Sequence, residues 1–566
     1  MTNRELASLF QDLADMEEIE GNRWESLAYG KVALSIATLV EDVGELRKKD
    51  SLRNIEGVGA AIEKKIIEYL ETGHIEKHVK MKEKYPIDFP SLRNIQGLGP
   101  KRIALLHREL GIKNVDDLEK ALEEGAISSV PGFGKKSEES LRRSLEVHRR
   151  TGSNRLFLAL VYDDIHRFLS KVRDNGYFLK ADIAGSTRRN RETIGDIDIL
   201  AVCTDNAKCT EFFLSLDEVE DVVVRGETKV SVRLSYGINC DLRIVDPESY
   251  GAAMQYFTGS KEHNIKMRDL AIEQNLKLNE YGLFSGEKSV AGKTEEEVYE
   301  HLGLSWVPPE LRENMGELEA ARGRSLPTLI EHRDVRGDFH AHTNASDGTA
   351  TLEEMVEKAK SLGYDYIALT EHSASLRIAN GLDEKRFNER NVEIDKINES
   401  DRSIRILKGV ELEIRKDGTL DLPYKLLEEM DVVVGALHQW VGDNITENTN
   451  RVVKALNSGH IFTLAHPTGR LIGVREPYRL DFEKIFQACE ENNVSLEING
   501  YPERSDLPYD LVKRAREYDL KFTLGSDSHR TDHLRFLRFA TSIARRGWLE
   551  KNDVMNTSSC HELFAK

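Results

Sequence analysis

The chain has 566 residues, 31% of them charged and 39% hydrophobic, and its 80 basic against 98 acidic side chains leave a net charge of −18. That length holds about three to five domains with separate cores, and the acidic balance argues against indiscriminate coating of nucleic acid through a wholly basic surface. With no run of 18 apolar residues, no apolar leader and five cysteines without CxxC spacing (Cys203, Cys209, Cys240, Cys489, Cys560), the expectation is a soluble cytoplasmic protein with reduced thiols.

Residues 1–80 carry a helical apolar period, with Leu6, Leu9, Phe10, Leu13, Trp24, Leu27 and Leu34 as expected core positions. Lys31, Lys64 and Lys65 lie among them, each a solvated side chain or phosphate contact before it is anything sharper. An internal repeat follows: Ser51-Leu-Arg-Asn-Ile-Glu-Gly57-Val-Gly59 recurs as Ser91-Leu-Arg-Asn-Ile-Gln-Gly97-Leu-Gly99, and more loosely as Val130-Pro-Gly132-Phe-Gly134. Each Gly-x-Gly precedes a helical stretch (60–70, 100–110, 135–148). Glycines allow a tight turn and close approach, and the next helix N-terminus offers free N–H groups to a phosphate. The pattern resembles the helix-hairpin-helix motif, which grips DNA backbone without reading bases.

Between 150 and 310 the decisive stretch is Gly185-Ser186-Thr-Arg188-Arg189-Asn-Arg-Glu-Thr-Ile-Gly195-Asp196-Ile-Asp198. Strand alternation puts Asp196 and Asp198 on one face while Ile197 and Ile199 enter a core. Two carboxylates that close need a cation between them to stay ionised, and hard divalent ions are held by such oxygens together with substrate phosphates. An acidic strand end facing water would account for Asp-x-Asp alone; it leaves the Gly-Ser turn and basic loop unexplained. A second apolar run, 239–245, places Asp241 as a third carboxylate, which suits two-metal phosphoryl chemistry.

With Tyr256-Phe257-Thr-Gly259-Ser260, Asn264 and Arg268 added, residues 1–310 closely resemble the family X DNA polymerases, those related to DNA polymerase beta. The resemblance implies that Asp196, Asp198 and Asp241 are catalytic and bind Mg²⁺ or Mn²⁺, with Asp241 drawing the proton from a primer 3′-hydroxyl. It implies that Gly185, Ser186 and Arg189 take the triphosphate, and that Tyr256 and Phe257, beside Gly259, wall the sugar. Asn264 would touch the base edge and Arg268 the template. Asn239 stands where the family often has an arginine. Lys65 occupies the family's lyase-lysine position, while Ala61 replaces a lysine common there. Gly57, Gly59, Gly97, Gly99, Gly132 and Gly134 would contact DNA.

From residue 336, short apolar runs alternate with helical stretches as in a parallel barrel. Nearly every run ends in a metal-type residue: His340 and His342 with Asp347, His372, Glu411, His438, His466, Asn499, and Asp527 with His529. In parallel barrels the chemistry sits at C-terminal strand ends. This half resembles the PHP (polymerase and histidinol phosphatase) family, a distorted seven-stranded barrel with a trinuclear metal centre, and its nine ligand positions are all filled. The resemblance implies one ion on His340, His342, Glu411 and Asp527, a second on Asp347, His372 and His529, and a third on His438 and His466, with Glu411 bridging. Mixed nitrogen and oxygen donors favour Zn²⁺ or Mn²⁺.

The expected architecture is an all-α helix-hairpin-helix region (1–85 lyase-like, 86–150 fingers-like), an α+β nucleotidyltransferase palm (151–245) and thumb (246–315), a linker (316–335), and a distorted (β/α)7 PHP barrel (336–566). The expected activity is gap-filling DNA synthesis in base-excision-type repair with 3′→5′ exonuclease, abasic-site cleavage and 3′-phosphate removal being further candidates. Gapped or primer-template DNA and deoxynucleoside triphosphates are the expected partners of a monomer of bacterial or archaeal type, without a membrane. The alternatives are a DNA-end scaffold with degenerate sites, or a phosphoester hydrolase for small substrates.

Overall fold

The computed structural model describes residues 3–564 apart from 38–42, 50, 56, 94, 96, 136, 140, 143, 146–154 and 440. It divides into two compact units, residues 1–154 with 233–238, and residues 155–232 with 239–566.

The first unit is helical. Helices α1 (Asn3–Glu20), α2 (Arg23–Ala37), α3 (Ala60–Thr72) and α4 (Pro100–Leu110) belong to it, and one continuous core runs from Leu6, Phe10 and Leu13 through Ile66 and Ile103 to Leu141 and Leu145. The expected division at residue 85 therefore marks no break in packing. Leu9 packs against this core, but two expected core residues do not join it: Trp24 is 87% and Leu27 54% exposed. The reason is helical phase, since α2 buries Tyr29, Val32, Ala33 and Ile36, a stripe at i, i+3, i+4 and i+7 on the face away from Trp24 and Leu27. The side chain of Leu34 lies outside the described residues. Gly57, Gly97 and Gly132 take φ of +86°, +91° and +86°, a region that favours glycine, and Gly59 and Gly99 cap α3 and α4. The end of the third expected helix, 146–148, is outside the described residues.

The second unit starts with a five-stranded sheet: β1 (Phe178–Ile183), β2 (Asp196–Cys203), β3 (Val219–Arg225), β4 (Lys229–Leu234) and β5 (Asn239–Ile244), in spatial order β1-β2-β5-β4-β3. Strand β2 pairs antiparallel with β1 and parallel with β5. Its alternation is as expected, with Ile197 and Ile199 fully buried. Helix α5 (Gly185–Arg188) lies between β1 and β2, and α6 (Tyr250–Thr258) and α7 (Lys261–Glu273) follow β5. Cys203, ending β2, and Cys209, in the next helix, are joined as a disulfide rather than left as thiols; the short connection brings their Cα atoms to 6.4 Å. Residues 316–335, expected as a linker, are packed: α8 (Glu317–Arg322) contributes Leu318 and Ala321 to the same core as Met267, Tyr299 and Trp548.

Seven parallel strands complete the chain in sequential order: β6 (Gly337–Ala341), β7 (Tyr366–Leu369), β8 (Arg405–Glu413), β9 (Val432–Ala436), β10 (Thr463–Leu464), β11 (Ser495–Asn499) and β12 (Phe522–Gly525). The ring closes where Asp527 N donates to His340 O (2.9 Å) and His342 N to Ser528 O (2.8 Å). Amphipathic helices bury a continuous shell of Leu, Ile, Val and Phe against these strands. The last of the longer helices, α9 (Leu537–Arg546), ends in Arg545 and Arg546.

Candidate active sites

The parallel register of β2 and β5 sets Asp198 opposite Asp241 and Asp196 opposite Asn239. Asp196 and Asp198 line an open cleft, and Asp241 stands beside Asp198 on the neighbouring strand. Gly185, Ser186, Arg189, Arg191, Asp196, Asp198, Tyr256, Phe257, Gly259, Asn264, Arg268 and Glu313 line it. Gly185 has φ of +63°, and a Cβ there would collide with the Asp198 carboxylate, so this turn requires glycine. Burial and the adjacent Asp196 push Asp198 up to about 7; burial and Asp241 raise Asp196 as well. Lys229 Nζ stands 2.8 Å from Asp241 Oδ2, and an Arg243 nitrogen 3.6 Å from it. A dyad that keeps a proton for want of positive charge fits a divalent cation.

The Tyr256 and Phe257 rings meet edge-on at 5.1 Å and are partly exposed along the cleft, with Phe257 also packed against the buried cluster of Leu200, Val202 and Met254. Asn264 Nδ2 donates to Tyr256 O (2.7 Å), and its Oδ1 accepts from Gln255 (2.8 Å), so the amide is aimed by α6. Arg188 points away from the cleft, with its guanidinium on both oxygens of the buried Glu295. Arg189 lies in the cleft wall, where its Nε donates to Glu313 Oε1 at 3.1 Å.

The barrel mouth gathers all nine expected side chains. Glu411 is fully buried at the centre: its Oε1 lies 2.9 Å from His466 Nε2 and 3.2 Å from His438 Nε2, and its Oε2 3.0 Å from His372 Nδ1 and 3.3 Å from His340 Nε2. Three tight groups of donor atoms form: His342, Asp347, His372 and His529; His340, His342 and Asp527; His372, Glu411 and His438. His342 and His372 are each shared by two groups, whereas the expected partition had Glu411 as its bridging residue. His466 and Asp527 adopt φ of +27° and +54°, backbone conformations that cost about 1–3 kcal/mol each and cluster at functional sites. His340 Nε2 and His342 Nε2 are only 3.1 Å apart, and His342 Nδ1 and His466 Nδ1 are buried without a hydrogen-bond partner. Imidazole nitrogens that converge in this way fit shared cations better than they fit one another.

Electrostatics follow the same division. Burial disfavours the charged form of His340, but Glu497, Glu411 and Asp527 outweigh it and hold the imidazolium well above the usual range. His372 rises to about 10 because Glu411 and Asp347 overcome its burial. Burial, with His372 and His529 nearby, lowers His342 to about 4.

A DNA polymerase/3'-5' exonuclease PolX of Bacillus subtilis (strain 168) is 34% identical over 572 residues, covering 100% of this chain and 99% of its own. The chain belongs to the family X DNA polymerases that carry a PHP domain. Family models agree module by module: a helix-hairpin-helix domain matches residues 1–75, a SAM-like helix-hairpin-helix tandem 89–146, the DNA polymerase beta thumb 253–313, and the PHP domain 338–501. The family X half is also similar to DNA polymerase lambda of Rattus norvegicus, 23% identical over 341 residues, 55% of this chain and 56% of that one. The PHP half is similar to a "Probable phosphatase" of Thermoanaerobacter sp. (strain X514), 28% identical over 234 residues, 39% of this chain and 89% of that one.

Sequence reasoning missed the side chains that aim the PHP ligands. Glu497 accepts from His340 Nδ1 at 2.6 Å, Glu413 pairs with His438 Nδ1 at 3.0 Å, and Arg504 Nε donates to Asp527 Oδ2 at 3.1 Å. Glu413 was readable, since it follows Glu411 by two positions on β8; Arg504 carries no such signal, because a loop brings it in. On the polymerase side Arg243 was overlooked although it shares the strand face of Asp241. Lys65 is partly exposed on α3, with its ammonium 5.9 Å from the Tyr29 ring. Among the described residues, no helix is long and apolar enough to cross a membrane.

Proposed function

We propose that this chain fills short gaps in DNA at the cleft of Asp196, Asp198 and Asp241 and removes nucleotides from 3′ ends at the barrel mouth. The observation that carries the reading is that one compact unit holds both an aspartate triad on adjacent strands and a complete nine-residue shell of imidazole and carboxylate. Beside the cleft, Asp241 would receive the 3′-hydroxyl proton. Arg189 and the N–H groups after Gly185 face the triphosphate, and the Tyr256–Phe257 pair confines the sugar. Mg²⁺ or Mn²⁺ on the three carboxylates would neutralise the charge developing on the phosphates.

In the mouth, Asp347, His372 and His529 hold one side of the pocket, His340, His342 and Asp527 another, and Glu411 with His438 and His466 a third. Zn²⁺ or Mn²⁺ there would lower the pKa of water to near neutrality and polarise a phosphoester. Glu497 and Glu413 hold the Nδ1 atoms of His340 and His438, so that the Nε2 nitrogens face the pocket and would offer lone pairs once a metal displaces their protons. Arg504 completes the positive wall next to Asp527. The helix-hairpin-helix glycines of the first unit supply a sequence-independent grip on the duplex. Abasic-site cleavage and 3′-phosphate removal draw on the same hydrolytic mouth, and Lys65 is the candidate amine for a lyase step.

The test is a gapped duplex incubated with and without deoxynucleotides, in Mg²⁺ and then in Mn²⁺. Extension with nucleotides and 3′ shortening without them is the expected outcome. A protein that cleared small phosphomonoesters far faster than DNA 3′ ends would overturn the exonuclease assignment, and one that bound ends but changed no strand would overturn both.

A further inference from the structure

The loop that carries the nucleotide-facing arginines is held from the other catalytic domain. Four consecutive residues, Arg189 to Glu192, each reach the last turn of α9 in the PHP barrel directly or through one carboxylate. Arg189 Nε and Arg191 Nη1 lie 3.1 and 3.3 Å from the two oxygens of Glu313, which in turn is 3.5 Å from Arg546 Nη2. Asn190 Nδ2 donates to Glu310 Oε1 at 3.3 Å, and Arg545 Nε reaches the same oxygen at 2.8 Å. Glu192 Oε2 pairs directly with Arg546 Nη1 at 2.7 Å.

Arg546 has no exposed side-chain surface, and its guanidinium stacks 3.8 Å from the Tyr509 ring. An arginine is buried so completely only where carboxylates compensate it, and here both carboxylates belong to the polymerase half. Burial would raise the Glu192 carboxyl, but Arg546, Arg470 and Arg191 outweigh it and hold it at about 2, so the pair stays ionised.

We propose that Arg546 of the PHP domain is a positioning residue for nucleotide binding. By engaging Glu192 and sharing Glu313 with Arg189 and Arg191, it fixes the loop that presents these two arginines to the cleft and offsets part of the negative charge beside them. The charge count gives this a sign. Arg546 sets one further positive charge beside Glu192 and Glu313, at the wall of a cleft that takes a polyanion. Without Arg546 that charge is lost, and Glu192 and Glu313 hold the loop arginines more tightly. The proposal rests on reading the cleft as the triphosphate site.

The experiment uses the full chain and measures KM and kcat for deoxynucleotide addition on a gapped duplex, with 3′-end hydrolysis of the same preparation as a check on the barrel. Arg546→Met should raise the nucleotide KM about tenfold while hydrolysis stays within about twofold. Arg546→Lys should recover most of that loss, and so should Arg546→Met with Glu192→Gln, which restores the net charge. Glu192→Gln alone should lower the nucleotide KM. A KM within about twofold of the parent in Arg546→Met overturns the proposal, and so does a loss that neither Lys nor the added Gln repairs, since that is packing alone. If Arg546→Met does not fold, Glu192→Gln decides, and an unchanged or raised KM overturns it. Failure of the cleft reading would look different: Asp198→Ala would keep adding nucleotides.

Discussion

In the polymerase cleft three aspartates stand together with too little positive charge, and Asp198 is pushed up to about 7 by burial and by Asp196. In the barrel mouth the carboxylates are surrounded by imidazoles, which outweigh burial and hold Glu411 and Asp527 well below the usual range. Both sites collect acidic groups, yet their carboxylates shift in opposite directions. The cleft holds a proton until cations arrive with a triphosphate, whereas the metal-free mouth offsets its carboxylates with protonated histidines, which give up those protons to a bound metal. One site is completed by substrate; the other is preorganised by the chain, down to the glutamates that hold its ligands.

The widest separation of the two sites is expected from removing the dyad. Asp196→Ala with Asp198→Ala should reduce nucleotide addition by about 10³-fold or more, about 4 kcal/mol of barrier, and leave 3′ hydrolysis unchanged in an assay without nucleotides. Loss of both activities in folded protein would mean that the sites are not separate. The reciprocal change, His340→Ala, should remove Mn²⁺-supported hydrolysis by about 10²-fold or more and spare addition. Glu497→Gln, acting only through His340, should be milder, about 10–100-fold in metal affinity. Calorimetric titration with Mn²⁺ orders the two, and a Glu497→Gln protein with parental affinity would remove that residue from the support of the site.

How much of this was legible in the chain follows from how local each signal is. The aspartate dyad, its glycine turn and the nine barrel residues were readable because strand alternation and strand-end position are properties of short segments. The helix-hairpin-helix repeats were readable because their turns need glycine. Trp24 and Leu27 were misread because α2 carries apolar residues on more than one face, and only packing against α1 selects which face is buried. Residues 316–335 looked like a linker because Leu318 and Leu329 find their partners in the thumb core and at Trp548, more than two hundred positions away. Arg546 was invisible for the same reason. An arginine in a helix's last turn reads as a solvated charge, and only the tertiary fold brings Glu192 and Glu313 to it.

The smallest expected effects concern protons, and they test the contrast most directly. A carboxyl whose folded pKa lies above its unfolded value stabilises the protein below the unfolded value, and that contribution is lost as pH rises through the folded one. For metal-free protein, Asp198 therefore contributes most below about pH 4, the ordinary aspartate value, and nothing beyond about 7. The group has to lose its proton to hold a cation, so Mg²⁺ affinity of the cleft should climb between pH 5.5 and 7.5, by at most about tenfold per unit, and level off above. Asp198→Asn removes the like-charge repulsion, so it should raise the melting temperature of metal-free protein at pH 8 by about one degree, a gain of about 1 kcal/mol, and flatten the pH dependence. The barrel mouth should do the opposite, since Glu411→Gln leaves its imidazolium neighbours unpaired and lowers the melting temperature. A stabilised Glu411→Gln protein, or a destabilised Asp198→Asn one, would show that the two sites balance their charge in the same way.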